Sequence, residues 1–287
     1  MSYLNLVNPD KSNPKFRISQ FPDGQQTIDI DINTIVDYKS PITIISRLNN
    51  FKDLELIICA NQALLNLGIT NISLAVPYFL GSRSDRQFLR GGVNYLKQVI
   101  CPIINSQNFK DVTVLDPHSD VLEACLNNYT KKNNFELVDD ALSYLIKDGE
   151  EEDVVLVSPD AGAYKKIFDV AKEFGIEKII TATKVRDMKT GKILRTEIPT
   201  LDQHNKLKYV IIDDICDGGR TFIELAKAIK DSRATASVYL IVTHGIFSAG
   251  FEELNRYFDG IYCTNSYRDV ADDEYGVKTN TKQLNVF

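Results

Sequence analysis

The chain has 287 residues, 44% of them hydrophobic and 25% charged, and a formal net charge of −6. That length suits two domains, and the apolar content is enough for a core without a metal or disulfide staple. The acidic balance argues against nucleic acid or an anionic membrane as partner, since both need a dominant basic surface; a polyanionic substrate would need a local basic pocket instead.

Taken in order, the chain opens on MSYLNLVNPDKSNPKF, which lacks the basic-then-apolar pattern of a secretory signal. No apolar stretch approaches membrane-spanning length, so a cytoplasmic location is expected. A β-branched run, ITIIS (42–46), precedes an amphipathic stretch over 52–68 that stops at glycine. ISLAV (72–76) and VTVL (112–115) follow. The acidic stretch KDGEEED (147–153) then reads as a linker, which predicts domains over 1–146 and 147–287. Beyond it come VVLV (154–157), a helical stretch over 164–175 ending in Gly175, KIITA (178–182) and YVIID (209–213). TFIELAKAIK (221–230) opens on Thr221 with Glu224 three residues later, the spacing of a capping box, and SVYLIV (237–242) follows. Runs apolar on both faces imply parallel strands covered by helices on both sides, so the fold class is α/β. Five cysteines (Cys59, Cys101, Cys125, Cys216 and Cys263) form no CxxC pair and read as reduced, buried thiols.

In such sheets ligands bind beyond the carboxyl ends of the strands. Six of the segments that follow strands carry charged residues: 77–86 with Arg83, Asp85 and Arg86; 116–120 with Asp116, His118 and Asp120; 158–162 with Asp160; 183–187 with Lys184, Arg186 and Asp187; 213–221; and 243–245 with His244. In the fifth, Asp213 and Asp214 end a strand, and Gly218 and Gly219 lead toward a helix. Glycines let backbone N–H groups approach an oxyanion and a helix amino end favours negative charge, while paired carboxylates suit ribose hydroxyls or magnesium. A tight turn with solvated acids explains this segment equally well when it is taken alone. So does a core histidine bonded to Asp116 for His118. His244 reads as structural, His204 as solvent-exposed. No Walker sequence is present.

Together these residues resemble the ribose-phosphate pyrophosphokinase family, with its two phosphoribosyltransferase-like domains. FPDG (21–24), PYFLGSRSDR (77–86), LDPHSD (115–120), SPDAG (158–162), KVR (184–186), the 213–221 loop and THGIFS (243–248) occur in the family's order over about residues 20–268. The resemblance implies that Phe21, Asp23 and Gln25 cradle the adenine of ATP, Phe21 and Asp23 from a neighbouring subunit of a homo-oligomer built from dimers. Arg83, Ser84, Asp85, Arg86 and His118 would hold ATP, with His118 and Asp160 at Mg2+. Lys184 and Arg186 would be the catalytic cations, on a mobile loop. Asp213, Asp214, Asp217, Gly218, Gly219, Arg220 and Thr221 would bind the sugar phosphate.

Several positions depart from the family pattern. Its phosphate loop reads Asp-Thr-x-Gly-Thr; here Gly218 removes a hydroxyl and Arg220 replaces a glycine. The acceptor is therefore either ribose 5-phosphate or a capped form such as ADP-ribose, with Gly218 as the exit for the cap and Arg220 on a second phosphate. Gln25 stands where glutamate is usual, and the family's first and last helices are not expected. QFLRGGVNYL (87–96) lacks a segment of the regulatory phosphate site, which argues against control by ADP and phosphate. A silent regulatory homologue and a phosphoribosyltransferase are the alternative readings.

Overall fold

The computed structural model describes residues 2–146, 154–186, 193–198, 207–271, 273–274 and 277–287. The chain forms two compact units, one of Met1–Asn133 with Val286–Phe287 and one of Asn134–Asn285.

In the first unit β1 (Ser2–Asn5) leads through a single 3-10 turn to a hairpin of β2 (Phe16–Gln20) and β3 (Gln26–Ile30), with no α-helix between. Strand β4 (Ile42–Ile45) precedes α1 (Phe51–Asn66), which is capped where the Asn50 side chain accepts from the N–H groups of Lys52 and Asp53. Then follow β5 (Ile72–Ala75), a π-wound turn Leu96–Ile100 continuing into α2 (Cys101–Ser106), β6 (Val112–Leu115), α3 (Val121–Cys125) and β7 (Tyr129–Lys132). The sheet is parallel, in the order β1-β4-β5-β6-β7. Strands β4 and β5 alternate: Ile42, Ile44, Ile72 and Leu74 are buried, and their neighbours are half-buried. Full cover of both faces is therefore not met within this unit, although the runs are as apolar as a doubly covered sheet requires.

The second unit contains α4 (Phe135–Leu145), β8 (Val154–Ser158), α5 (Tyr164–Phe174), β9 (Ile179–Thr181), the antiparallel pair β10 (Thr183–Arg186) and β11 (Ile193–Glu197), and β12 (Lys208–Cys216). It continues with α6 (Arg220–Ser232), β13 (Ser237–Gly245), α7 (Glu252–Tyr257), β14 (Gly260–Thr264), the short pair β15 (Asp273–Glu274) and β16 (Val277–Lys278), and β17 (Thr281–Leu284). Its parallel sheet has the order β17-β14-β13-β12-β8-β9. Here both faces are covered. Val155, Val157, Tyr209, Ile211, Val238 and Leu240 pack on one side with Phe222, Leu225 and Ile229 of α6. Val154, Leu156, Val210, Ile212 and Ile241 pack on the other with α4 and α5. Alternate residues of one run thus feed two cores, which is why the runs read as continuously apolar.

All seven runs are strands, and the chain passes from one compact unit to the other between Asn133 and Asn134, ahead of α4. The cause is packing: Leu137, Val138, Ala141, Leu142 and Leu145 of α4 share a core with Val154, Leu156 and Ile167. The acidic stretch 147–153 lies outside the described residues. The tail read as lacking a final helix provides edge strand β17, which pairs with β14. All five cysteines are free thiols; Cys101, Cys216 and Cys263 are buried, Cys59 and Cys125 half-buried. Among the described residues no helix is long and apolar enough to cross a membrane.

Candidate active site

The six segments divide between the two units. In the first unit the hairpin tip Phe21–Gln25 is closed by the Phe21 N–H donating to the Gln25 carbonyl (2.8 Å), and the Asp23 carboxylate accepts from the Gln25 N–H at 3.1 Å. Phe21 stands 53% exposed at this tip. The hairpin is anchored to α1 through Gln26, whose Nε2 donates to the Lys52 carbonyl at 2.7 Å.

The segments after β5 and β6 are brought together. Ser119 Oγ donates to Asp85 Oδ2 at 2.7 Å, and Asn94 Nδ2 holds the Asp85 carbonyl at 2.7 Å. Ser84 is half-buried, while Arg83 and Arg86 are exposed, with Arg86 over the Phe88 ring at 5.1 Å. His118 is exposed, so it is not a core histidine. Asp116 in the same segment is buried, in a left-handed turn at φ 42°, and its N–H donates to the Lys132 carbonyl (2.7 Å). The turn carries His118 outward.

In the second unit the tightest cluster lies at the carboxyl end of β12. The segments after β12 and β13 are locked together: the N–H of Ile246 donates to the Cys216 carbonyl at 2.9 Å and that of Ser248 to the Asp217 carbonyl at 3.1 Å. Ser248 Oγ also donates to Asp217 Oδ1 at 2.6 Å.

Helix α6 begins at Arg220 on an N-cap of Gly219, with no side-chain cap, so the expected capping box is absent. The Glu224 carboxylate that would have closed it accepts from Arg220 Nε at 2.8 Å. Gly219 is required by the backbone: its φ is +76°, and a Cβ there would meet Leu254 Cδ2 at 2.9 Å. Gly218 is not so required, for its φ is ordinary and a Cβ would meet Ser248 Oγ and Ala249 Cβ at 3.7 and 3.9 Å, in normal contact. Thr221 is half-buried in the first turn of α6.

Asp213 is half-buried and Asp214 buried at the same strand end. Burial, and then the neighbouring Asp214 carboxylate, push the Asp213 carboxyl well above the usual carboxylate range, while Lys166 draws it down. Lys166 Nζ lies 3.9 Å from Asp214 Oδ1. Sequence reasoning missed this lysine; the one available signal was a cation in the first turn of the helix that follows SPDAG. Asp160 lies ahead of the turn that leads into that helix, its Oδ1 accepting from the N–H groups of Gly162 (3.0 Å) and Ala163 (3.2 Å). Burial pushes the Cys216 thiol up, which leaves it protonated and inert beside the cluster.

The backbone of Lys184 and Arg186 lies in β10, opposite Thr196 and Ile193, with a register shift between Val185 and Arg186. Asp187 and His204 lie outside the described residues. His244 is buried and bonded through Nδ1 to Ser266 Oγ at 2.8 Å, a structural role. Among the described residues no cluster of three or more His, Cys, Asp or Glu is placed to hold a metal. His118 belongs to the first unit and Asp160 to the second.

A family model described as "Phosphoribosyl transferase domain" matches residues 126–261. A ribose-phosphate pyrophosphokinase of Marinomonas sp. (strain MWYL1) is 27% identical over 258 residues, covering 86% of this chain and 79% of its own. The enzyme of that name from Methanopyrus kandleri is 25% identical over 247 residues, covering 82% and 80%. A phosphoribosylpyrophosphate synthetase from Mycobacterium smegmatis has the same fold: TM-score 0.75 at 16% identity, covering 97% of this chain and 88% of that one. The fold is thus α/β with phosphoribosyltransferase-like sheets, as the sequence reading expected.

Proposed function

We propose that this chain, a relative of the ribose-phosphate pyrophosphokinases over most of its length, is an ATP-dependent diphosphotransferase that moves the β,γ-diphosphoryl group of ATP onto the anomeric hydroxyl of a 5-phosphorylated ribose. The observation that carries this reading is the cluster at the end of β12. The paired carboxylates Asp213 and Asp214 match the donor hydroxyls of a ribose. The turn through Gly218 and Gly219 opens the amino end of α6, where a phosphate monoester is favoured.

The anomeric oxygen attacks the β-phosphorus of ATP in line, the bond from that phosphorus to the bridging α-oxygen breaks, and AMP leaves as the hydroxyl proton is lost. Charge spreads over the phosphoryl oxygens, so positioning and cations supply the catalysis. Arg83 and Arg86 with Asp85 and His118 hold ATP, Phe21 and Asp23 present the adenine surface, and Lys184 and Arg186 meet the transferring group. Mg2+ would supply charge neutralisation on the diphosphate. It keeps several waters and needs only one or two protein ligands beside substrate phosphates, so the single carboxylate of Asp160 would be enough to hold it.

Ribose 5-phosphate is the acceptor that the closed turn suits, because Arg220 is engaged by Glu224. Gly218 favours a second reading, a capped acceptor such as ADP-ribose, since neither its φ nor crowding demands glycine. Purified protein with ATP and magnesium, offered each acceptor in parallel, is assayed for AMP and product mass. AMP with ribose 5-phosphate alone leaves Gly218 incidental, and AMP mainly with ADP-ribose makes it the specificity determinant. AMP with neither overturns the enzymatic reading in favour of a silent regulatory homologue. Gly218→Thr folds normally in this reading. It is expected to abolish any ADP-ribose-dependent AMP release while sparing that with ribose 5-phosphate, as measured in the same assay.

A further inference from the structure

Lysines at the amino end of a helix face the positive end of its dipole, an unfavourable placement. Helix α5 nevertheless carries Lys165 and Lys166 in its first turn and no acidic residue there. Lys166 is 22% exposed and reaches 3.9 Å from Oδ1 of Asp214, whose side chain is 7% exposed. Asp214 in turn is fixed to its neighbour, its N–H donating to Asp213 Oδ1 at 2.9 Å. The parallel pairing of β8 with β12 brings the start of α5 to the carboxyl end of β12, so this lysine is delivered to the acidic pair by topology.

We propose that Lys166 is a positioning residue for acceptor binding: it compensates the two adjacent carboxylates so that both accept hydrogen bonds from the sugar hydroxyls. Two carboxylates side by side and partly desolvated resist carrying full charge together. A carboxyl that retains its proton is a poorer acceptor for a hydroxyl donor, and an ammonium close to Asp214 offsets that tendency. The role rests on the functional reading above, since the sugar is what the pair would bind. It adds a residue outside the strand-end loop, from a different element of the same unit.

The test is calorimetric binding of ribose 5-phosphate and ADP-ribose, and separately of ATP, to wild type, Lys166→Met and Lys166→Arg, with thermal melts of each. The expected result is a Kd for the bound acceptor raised by about tenfold or more in Lys166→Met, with Kd for ATP unchanged. Lys166→Arg should restore most of the acceptor affinity. The melts report folding only, because in Lys166→Met the gain at the helix amino end opposes the loss of compensation at the acidic pair. Unchanged acceptor affinity in Lys166→Met, or loss shared equally between acceptor and ATP, overturns the positioning role alone. Failure of wild type to bind either acceptor overturns the functional reading itself, and this role with it.

Discussion

Lys184→Ala is expected to cut turnover by ~10²–10³ or more, with the thermal unfolding midpoint unchanged. The transferring group spreads negative charge over its oxygens, and one well-aimed donor removed from such a transition state costs a few kcal/mol. The unfolding midpoint should hold because the backbone pairing of Lys184 with Thr196 uses main-chain groups that alanine retains. AMP formation under saturating substrates, beside a thermal melt, checks both parts. Near-normal turnover would remove Lys184 from the mechanism.

Asp213→Asn should separate function from stability in the opposite direction. Burial and Asp214 raise the Asp213 carboxyl well above the ordinary range. A carboxyl with a raised folded pKa binds its proton more tightly in the native state, so its contribution to stability is present at low pH and lost as pH rises through the folded pKa. Above that value the native state carries a strained pair of charges. Asparagine removes the strain, so the melting temperature above the folded pKa is expected to rise, and the gain should vanish toward pH 4, where wild-type Asp213 is itself protonated. Catalytic efficiency for the acceptor should fall by about 10–100-fold through loss of a charged hydrogen-bond acceptor. A melting temperature lowered equally at both pH values would mean that Asp213 is a structural residue.

Much of this molecule can be read from its residues. The seven β-branched runs are strands because alternate side chains of each find apolar neighbours, and Val154 to Val157 show the logic by dividing between two cores. Glycine stops at Gly68 and Gly175 follow α1 and α5 with positive φ, since only glycine enters that region without strain. The capping box at Thr221 was misread, because spacing alone does not reveal that Arg220 engages Glu224. The compact units divide ahead of α4 for a related reason. An acidic stretch advertises solvent, but where one core ends is decided by which sheet α4 covers.

The sequence by itself determined the fold class, the order of the strand-end segments and the residue types they carry, because local pattern and chain order fix what each segment can form. Only the tertiary structure decided which segments meet. Ser119 reaches Asp85, Ser248 locks Asp217, and Lys166 arrives beside Asp214 from a separate helix. Those encounters follow from strand adjacency in a parallel sheet, β5 beside β6 and β12 between β8 and β13, and residues distant along a chain become neighbours only once that order is set.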